Sequence, residues 1–314
     1  GTKEISPVEL LESCIMRTET VNPTVNSMVT TCYDRARAEA KVAEKQALDG
    51  EPLGLLHGLP FGSKDLESTG GVRTTMGSQL FADNVPDQDQ GSIAEIRANG
   101  GILIGKTNTP EFGAGANTRN LVFGATGNPF DPEMSCAGSS GGSAVSLATG
   151  MVPLATGSDY GGSLRTPASF CGVVGFRPSP GVVPNELRSV GLNPFSVLGP
   201  MGRTVADAAL LLSAMIGDDP RDPFGSGIDP ELAEPMQPTD VASLRVAISE
   251  DLGVSPLDND IRECFRQKID TIRHIFSDAQ DHDPPFDNDL HRAFEVLRCV
   301  NYLSAHGEKV ENQR

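Results

Sequence analysis

Apolar positions along this chain switch between a helical period and short unbroken runs, the pattern of helices alternating with strands. The first element opens at Ser6-Pro7-Val8-Glu9, a capping box with proline at the first helical position, and predicts an amphipathic helix through about Thr20. A second helix, rich in Ala, Glu, Lys and Arg, follows from Asp34 to Leu48. His57 to Asp65 reads as a loop, a short strand and a lysine. Ser92 to Asn99 is a helix closed by Gly100-Gly101, and Ile102-Leu103-Ile104-Gly105 is a short buried strand. Ser143 to Thr149 is a helix of small residues, and Val152 to Thr156 is a strand running into a glycine loop. Val205 to Ile216 is a helix, and the acid- and proline-rich stretch from Asp219 to Pro238 is a surface loop. Leu244 to Ile248 is a strand; Asp258 to Phe276 and Asp289 to Glu308 are helices. This alternation predicts an α/β fold with a central sheet covered on both faces. No internal repeat is present, and residues 1–314 are expected to form one domain.

Composition narrows the function classes more than the fold. Hydrophobic residues at 38% and charged residues at 21% are ordinary for a soluble globular protein. No apolar run reaches the roughly 18 residues that a membrane span needs. The 34 glycines and 23 prolines fit many loops converging on a site rather than a helical bundle. A formal net charge of −17 argues against a non-specific nucleic-acid partner, which would need lysine and arginine on phosphates. Six scattered cysteines without a C-x-x-C pair suit free thiols in a reducing cytoplasm, not disulfides or zinc, and no metal-spaced cluster appears. The chain starts at Gly1 and stops at Arg314 within a helical pattern, so trimming at the N-terminus and an incomplete C-terminal end are expected.

Candidate chemistry concentrates in two glycine-cushioned serines. Gly138-Ser139-Ser140-Gly141-Gly142-Ser143 is followed by Gly157-Ser158-Asp159-Tyr160-Gly161-Gly162-Ser163-Leu164-Arg165. Lys64 stands upstream in Gly58-Leu59-Pro60-Phe61-Gly62-Ser63-Lys64-Asp65. Serine is a weak nucleophile until a base takes its proton, and a neutral lysine can be that base. Burial against Leu59-Pro60-Phe61 would lower the Lys64 pKa from its free value of about 10.4. Alternation along the strand would turn Asp65 to the other face. The backbone N–H groups of Tyr160, Gly161, Gly162 and Ser163 form a candidate oxyanion hole, a feature commonly worth about 3–4 kcal/mol to a transition state. Asp159 and Arg165 flank that loop and are expected to brace it as an ion pair. Ser140 is expected to lend a supporting hydrogen bond, and Ser143 to cap the helix it begins.

Lys64, Ser139 and Ser163, in this order and spacing, resemble the amidase signature family of serine hydrolases. The segment Pro167-Ala168-Ser169-Phe170-Cys171-Gly172-Val173-Val174-Gly175-Phe176-Arg177-Pro178-Ser179 also resembles that family's block. The resemblance implies an amidase signature fold with a central mixed sheet. It implies that Ser163 forms an acyl-enzyme, that Ser139, after a cis peptide at Gly138, relays the proton, and that Lys64 is the terminal base. It also implies that Gly113 and Gly115 line the leaving-group side with backbone. The expected function is a cofactor-free, metal-free cytoplasmic amidase acting on a small-molecule amide, with a homodimer left open.

Three other assignments compete. One is an amidotransferase A-type subunit, but Tyr160 stands where that subunit carries threonine, Arg177 departs from its lysine, and Ala137 replaces the first of its paired glycines. Another is a non-catalytic binding relative. The last is a Ser-His-Asp α/β-hydrolase, since Gly138 to Gly142 fits G-x-S-x-G with Ser140 as nucleophile. It needs a histidine, and His274, His282, His291 and His306 lie in surface-like segments instead. Gly100 to Thr107 fits a phosphate-loop pattern, yet its Ile-Leu-Ile middle reads as strand, and His57 reads as a packed residue.

Overall fold

The computed structural model describes residues 4–225, 237–286 and 289–312. The chain divides into two compact units, Gly1–Glu234 and Pro235–Arg314. The first unit runs α1 (Pro7–Val25), β1 (Met28–Thr31), α2 (Tyr33–Asp49), β2 (Pro60–Lys64), α3 (Gly91–Ala98), β3 (Ile102–Thr107) and a hairpin of β4 (Arg119–Asn120) and β5 (Gly124–Ala125). It continues with α4 (Gly141–Ala148), β6 (Leu154–Asp159), α5 (Arg165–Cys171), β7 (Val174–Gly175), β8 (Val197–Gly202) and α6 (Val205–Met215).

Ser6 caps α1 as its sequence predicts, with reciprocal bonds to Glu9 of 3.1 and 2.9 Å. The helix continues past Thr20 through Pro23 and ends at Asn26 in the left-handed region. Proline forfeits one hydrogen bond near the end, while Val25 extends the buried stripe of Leu11, Ile15 and Thr18.

Six strands form one mixed sheet in the order β1-β3-β2-β6-β8-β7. The β3, β2 and β6 strands are parallel neighbours, whereas β1 and β8 pair antiparallel with β3 and β6. Alternating side chains feed two cores. Ile102 and Ile104 of β3 pack with Leu11, Ile15, Val145 and Leu147 on one face, while Leu103 packs with Ile93, Ile96, Leu211 and Met215 on the other. The expected α/β architecture, a mixed sheet with helices on both faces, is what the chain adopts.

Six of these elements were not legible: the two-residue strands β4, β5 and β7, then β1, α5 and above all β8, a fully buried strand between β6 and β7. Its Gly199-Pro200 reads as a turn, but a Cβ on Gly199 would strike the Phe176 carbonyl, and Pro200 opposes Thr156 while its carbonyl accepts from Phe176 N–H at 3.1 Å. Close approach explains the glycine.

The second unit contains β9 (Arg245–Ile248), α7 (Asn259–Ile272), β10 (Asp278–Asp281) and α8 (Asp289–Asn312), with β9 and β10 parallel. The helix expected through Phe276 stops at Ile272, and the polar run Asp278-Ala279-Gln280-Asp281 pairs as a strand. Most of the loop expected from Asp219 to Pro238 lies outside the described residues. Among the described residues, no helix is long and apolar enough to cross a membrane.

Candidate active site

Lys64 ends β2 at the centre of the sheet and is fully buried. Its Nζ donates to three hydroxyls: Ser139 Oγ at 2.7 Å, Ser140 Oγ at 2.8 Å and Ser158 Oγ at 3.0 Å. Burial drops its pKa to about 7, with the carboxylates of Glu67 and Asp159 pulling the other way. Asp65 turns away, as alternation requires. Its carboxylate accepts from Thr75 N–H at 3.0 Å and from the Thr75 hydroxyl. Burial raises the Asp65 pKa against those bonds.

The Gly138–Ser139 peptide is cis, and Ala137 before it takes φ of 59°. Alanine thus occupies the left-handed conformation its side chain disfavours, at the position where a second glycine would be relaxed. A Cβ on Gly113 would lie 3.5 Å from Ser139 Oγ and much closer to Leu66, while a Cβ on Gly138 would press on the Gly115 carbonyl. The backbone around Gly113 and Gly115 therefore passes directly over the first serine loop.

The second loop meets the first through Ser140 N–H, which donates to the Ser163 carbonyl at 3.2 Å. Ser139 and Ser140 are buried, whereas Ser163 is half-exposed at the N-terminal approach to α5. Asp159 shapes this loop. Its carboxylate accepts from Gly162 N–H at 2.8 Å, Leu164 N–H at 3.1 Å, both Arg165 nitrogens at 3.0 and 3.1 Å, and Arg177 at 3.0 Å. Burial opposes the Asp159 charge, but the Arg165, Gly162 and Leu164 bonds outweigh it and hold the pKa at about 2.

Of the sequence-predicted residues, the structure brings together Lys64, Ser139, Ser140, Asp159, Arg165 and the loops carrying Gly113, Gly115, Tyr160, Gly161, Gly162 and Ser163. The Gly162 amide is committed to Asp159. Ser143 does not cap α4, which already begins at Gly141. It is buried within the helix, and its hydroxyl donates to the Thr156 carbonyl at 2.8 Å. Sequence reasoning missed Ser158, the third hydroxyl on Lys64, and Arg177, which also binds the Asp159 carbonyl. Ser158 had a signal, because it follows Gly157 at the end of a strand aimed at the glycine loop. His57 is a packed residue, with Nε2 donating to the Ala43 carbonyl at 2.9 Å. The phosphate-loop pattern lies in β3, where Lys106 is buried.

The sequence profile of the Amidase family matches residues 9–302. The chain is similar to an acylamidase of Rhodococcus erythropolis, 39% identical over 261 residues that make up 83% of this chain and 55% of the relative. It is also similar to the A-type subunit of glutamyl-tRNA(Gln) amidotransferase from Thermosynechococcus vestitus, 36% identical over 274 residues, 87% of this chain and 57% of that one. A solved bacterial aryl acylamidase of the amidase signature enzymes superposes with a TM-score of 0.86 at 29% identity, over 99% of this chain and 65% of its own. The chain spans little more than half the length of these curated relatives. With a match along nearly its entire length, the chain belongs to the amidase signature family.

Proposed function

We propose that this protein hydrolyses the C–N bond of a small carboxylic amide through an acyl-enzyme on Ser163. The observation that carries this reading is the buried contact of Lys64 Nζ with Ser139 Oγ, next to a half-exposed Ser163. Ser163 Oγ attacks the carbonyl carbon as its proton passes to Ser139, which gives its own to neutral Lys64. The tetrahedral oxyanion is met by backbone N–H groups of Tyr160, Gly161 and Ser163, while Gly162 serves Asp159 and fixes the loop. The amine leaves with a proton returned along the relay, and water then attacks the ester with the same groups acting as base. Ser140 and Ser158 hold Lys64 Nζ on its other two sides. No step requires a cofactor. Free thiols at all six cysteines fit the reducing cytoplasm in which such an enzyme would work.

Labelling by a fluorophosphonate serine probe in the full chain, followed by peptide mapping, tests the assignment. The expected adduct is on Ser163, and Ser163→Ala loses it while unfolding at the parental midpoint. An adduct that survives Ser163→Ala and vanishes in Ser140→Ala overturns this reading in favour of the elbow. A second reading, an amidotransferase A-type subunit working with partner chains, is favoured by the 36% identity to a tRNA-dependent relative of that kind. Amide turnover by the isolated chain separates it from a stand-alone amidase.

A further inference from the structure

Two buried charged side chains beside the relay take no part in it. Glu67 is 1% exposed and Lys106 is fully enclosed. Lys106 lies on β3, in register with Ser63 of β2 and one position from the pair Lys64–Thr107. Its Nζ donates to Ser63 Oγ and Thr69 Oγ1, both at 2.8 Å, and to the Glu67 carbonyl. An ammonium has three donors, and all three are satisfied here. The Glu67 carboxylate faces the other way through Oε2, which accepts from Ser63 Oγ at 3.1 Å and from the Thr156 hydroxyl. Its Oε1 is buried and accepts no hydrogen bond from the described residues. Thr156 Oγ1 in turn accepts from the Lys64 backbone N–H at 3.1 Å. One hydroxyl thus ties Glu67 to the main chain of Lys64, and another ties it to the Lys106 ammonium.

A carboxylate buried this deeply keeps its charge only beside positive charge. The charged groups facing Lys64 are Glu67 and Asp159, and Asp159 is already bound to Arg165 and Arg177. Glu67 faces Lys106 and Lys64, while Lys106 faces Glu67, Asp65, Cys32 and Asp89. We propose that Glu67 and Lys106 are paired positioning residues for the proton transfer, the carboxylate favouring the proton on Lys64 and the second ammonium restraining that pull. The proposal rests on the lysine relay of the preceding subsection. The directions of the shifts agree with it. Burial lowers Lys64 while Glu67 raises it, and burial raises Glu67 while Lys106 lowers it.

The test is the rate of Ser163 labelling by a fluorophosphonate in single turnover, from about pH 5 to 10, in the full chain at matched folded fractions. The wild-type rate rises with pH as Lys64 loses its proton. Glu67→Gln keeps the shape and the hydroxyl contacts but removes the charge. Its limb is expected about one pH unit lower, so that well below the wild-type midpoint it labels up to tenfold faster relative to its own plateau. Glu67→Asp, which restores the charge, is expected to return the limb towards wild type. Lys106→Met is expected to move the limb the opposite way, because the carboxylate then acts on Lys64 alone. A downward shift in Lys106→Met would show Glu67 taking up the proton and overturn the restraining role. If that variant does not fold, Glu67→Gln and Glu67→Asp decide the matter. Lower plateaus with unmoved midpoints would make both residues purely structural and overturn the proposal, leaving the relay intact. A wild-type profile with no acid limb would instead overturn the lysine relay, and this inference with it.

Discussion

Asp159 fixes the glycine loop that carries Ser163. Two amides and two arginines converge on one carboxylate, so neutralising it leaves Arg177, only 22% exposed, without its charged partner. Asp159→Asn is expected to cost roughly 1–3 kcal/mol in urea denaturation at neutral pH, with Arg165 contributing little because solvent screens it. The folded pKa of about 2 lies below the free carboxyl value of 3.8. A depressed carboxyl stabilises the fold fully above its unfolded pKa and loses that contribution as pH falls through the folded one. The deficit of Asp159→Asn should therefore shrink between about pH 4 and pH 2, and a deficit constant across that window would deny Asp159 its charge. At Ala137, whose φ is 59°, glycine should be tolerated and valine should lower the unfolding midpoint sharply, since a β-branched residue is an outlier there. Lys64, Ser139 and Ser163 were legible because each sits in a glycine-marked segment. Glu67 and Arg177 were not, since their partners come from other strands and loops and nothing local distinguishes them, and Ser158 carried only the signal of its place after Gly157 at a strand end.

Among the elements, α4 shows what glycine contributes beyond loop freedom. The sequence presents Gly141-Gly142 as cushioning for a serine, yet both are helical and buried. A Cβ on Gly141 would fall on Thr118 Oγ1, and one on Gly142 on the Asn108 backbone. These glycines let α4 settle against the end of β3 and hold Ser139 and Ser140 over Lys64. Gly142→Ala meets main chain, which cannot swing aside, and is expected to destabilise by more than an ordinary overpacked side chain, above roughly 1–3 kcal/mol. A thermal midpoint within a degree or two of wild type would show that the helix can shift. Elements such as α2, rich in helix formers, and β3, an unbroken apolar run, were readable from local sequence alone. The strands β8 and β10 were not, because Gly199-Pro200 mimics a turn and Asp278-Ala279-Gln280-Asp281 carries almost no apolar signal. Their pairing is decided by neighbours far away in sequence.

For the molecule as a whole, the two units divide the competing chemistries. The serines and Lys64 belong to the first, and His274, His282, His291 and His306 to the second. Replacing all four histidines by Gln should leave Ser163 labelling within a few-fold of wild type, and a loss of about a thousandfold would establish a histidine base. The first unit also buries enough titratable groups to shape the pH dependence of stability. Lys64 and Lys106 titrate at about 7 and 8 when folded but at 10.5 when free. Between those limits the unfolded chain binds more protons, so their contribution makes stability rise with pH. Cys14, Cys32 and Cys136 are pushed up to about 11 and Cys171 to about 12, from 9.0, by burial. Above pH 9 the unfolded thiols ionise first, and stability falls. The two effects oppose each other, and their sum predicts a maximum near about pH 8–9. Burial also raises Asp65 and Glu67, whose contribution is lost as pH climbs through their folded values and blunts the rise. The lysine term is isolated by difference. Urea midpoints of Lys64→Met should climb less steeply than wild type between about pH 7 and 9, and parallel curves would mean that Lys64 keeps its proton in the folded protein.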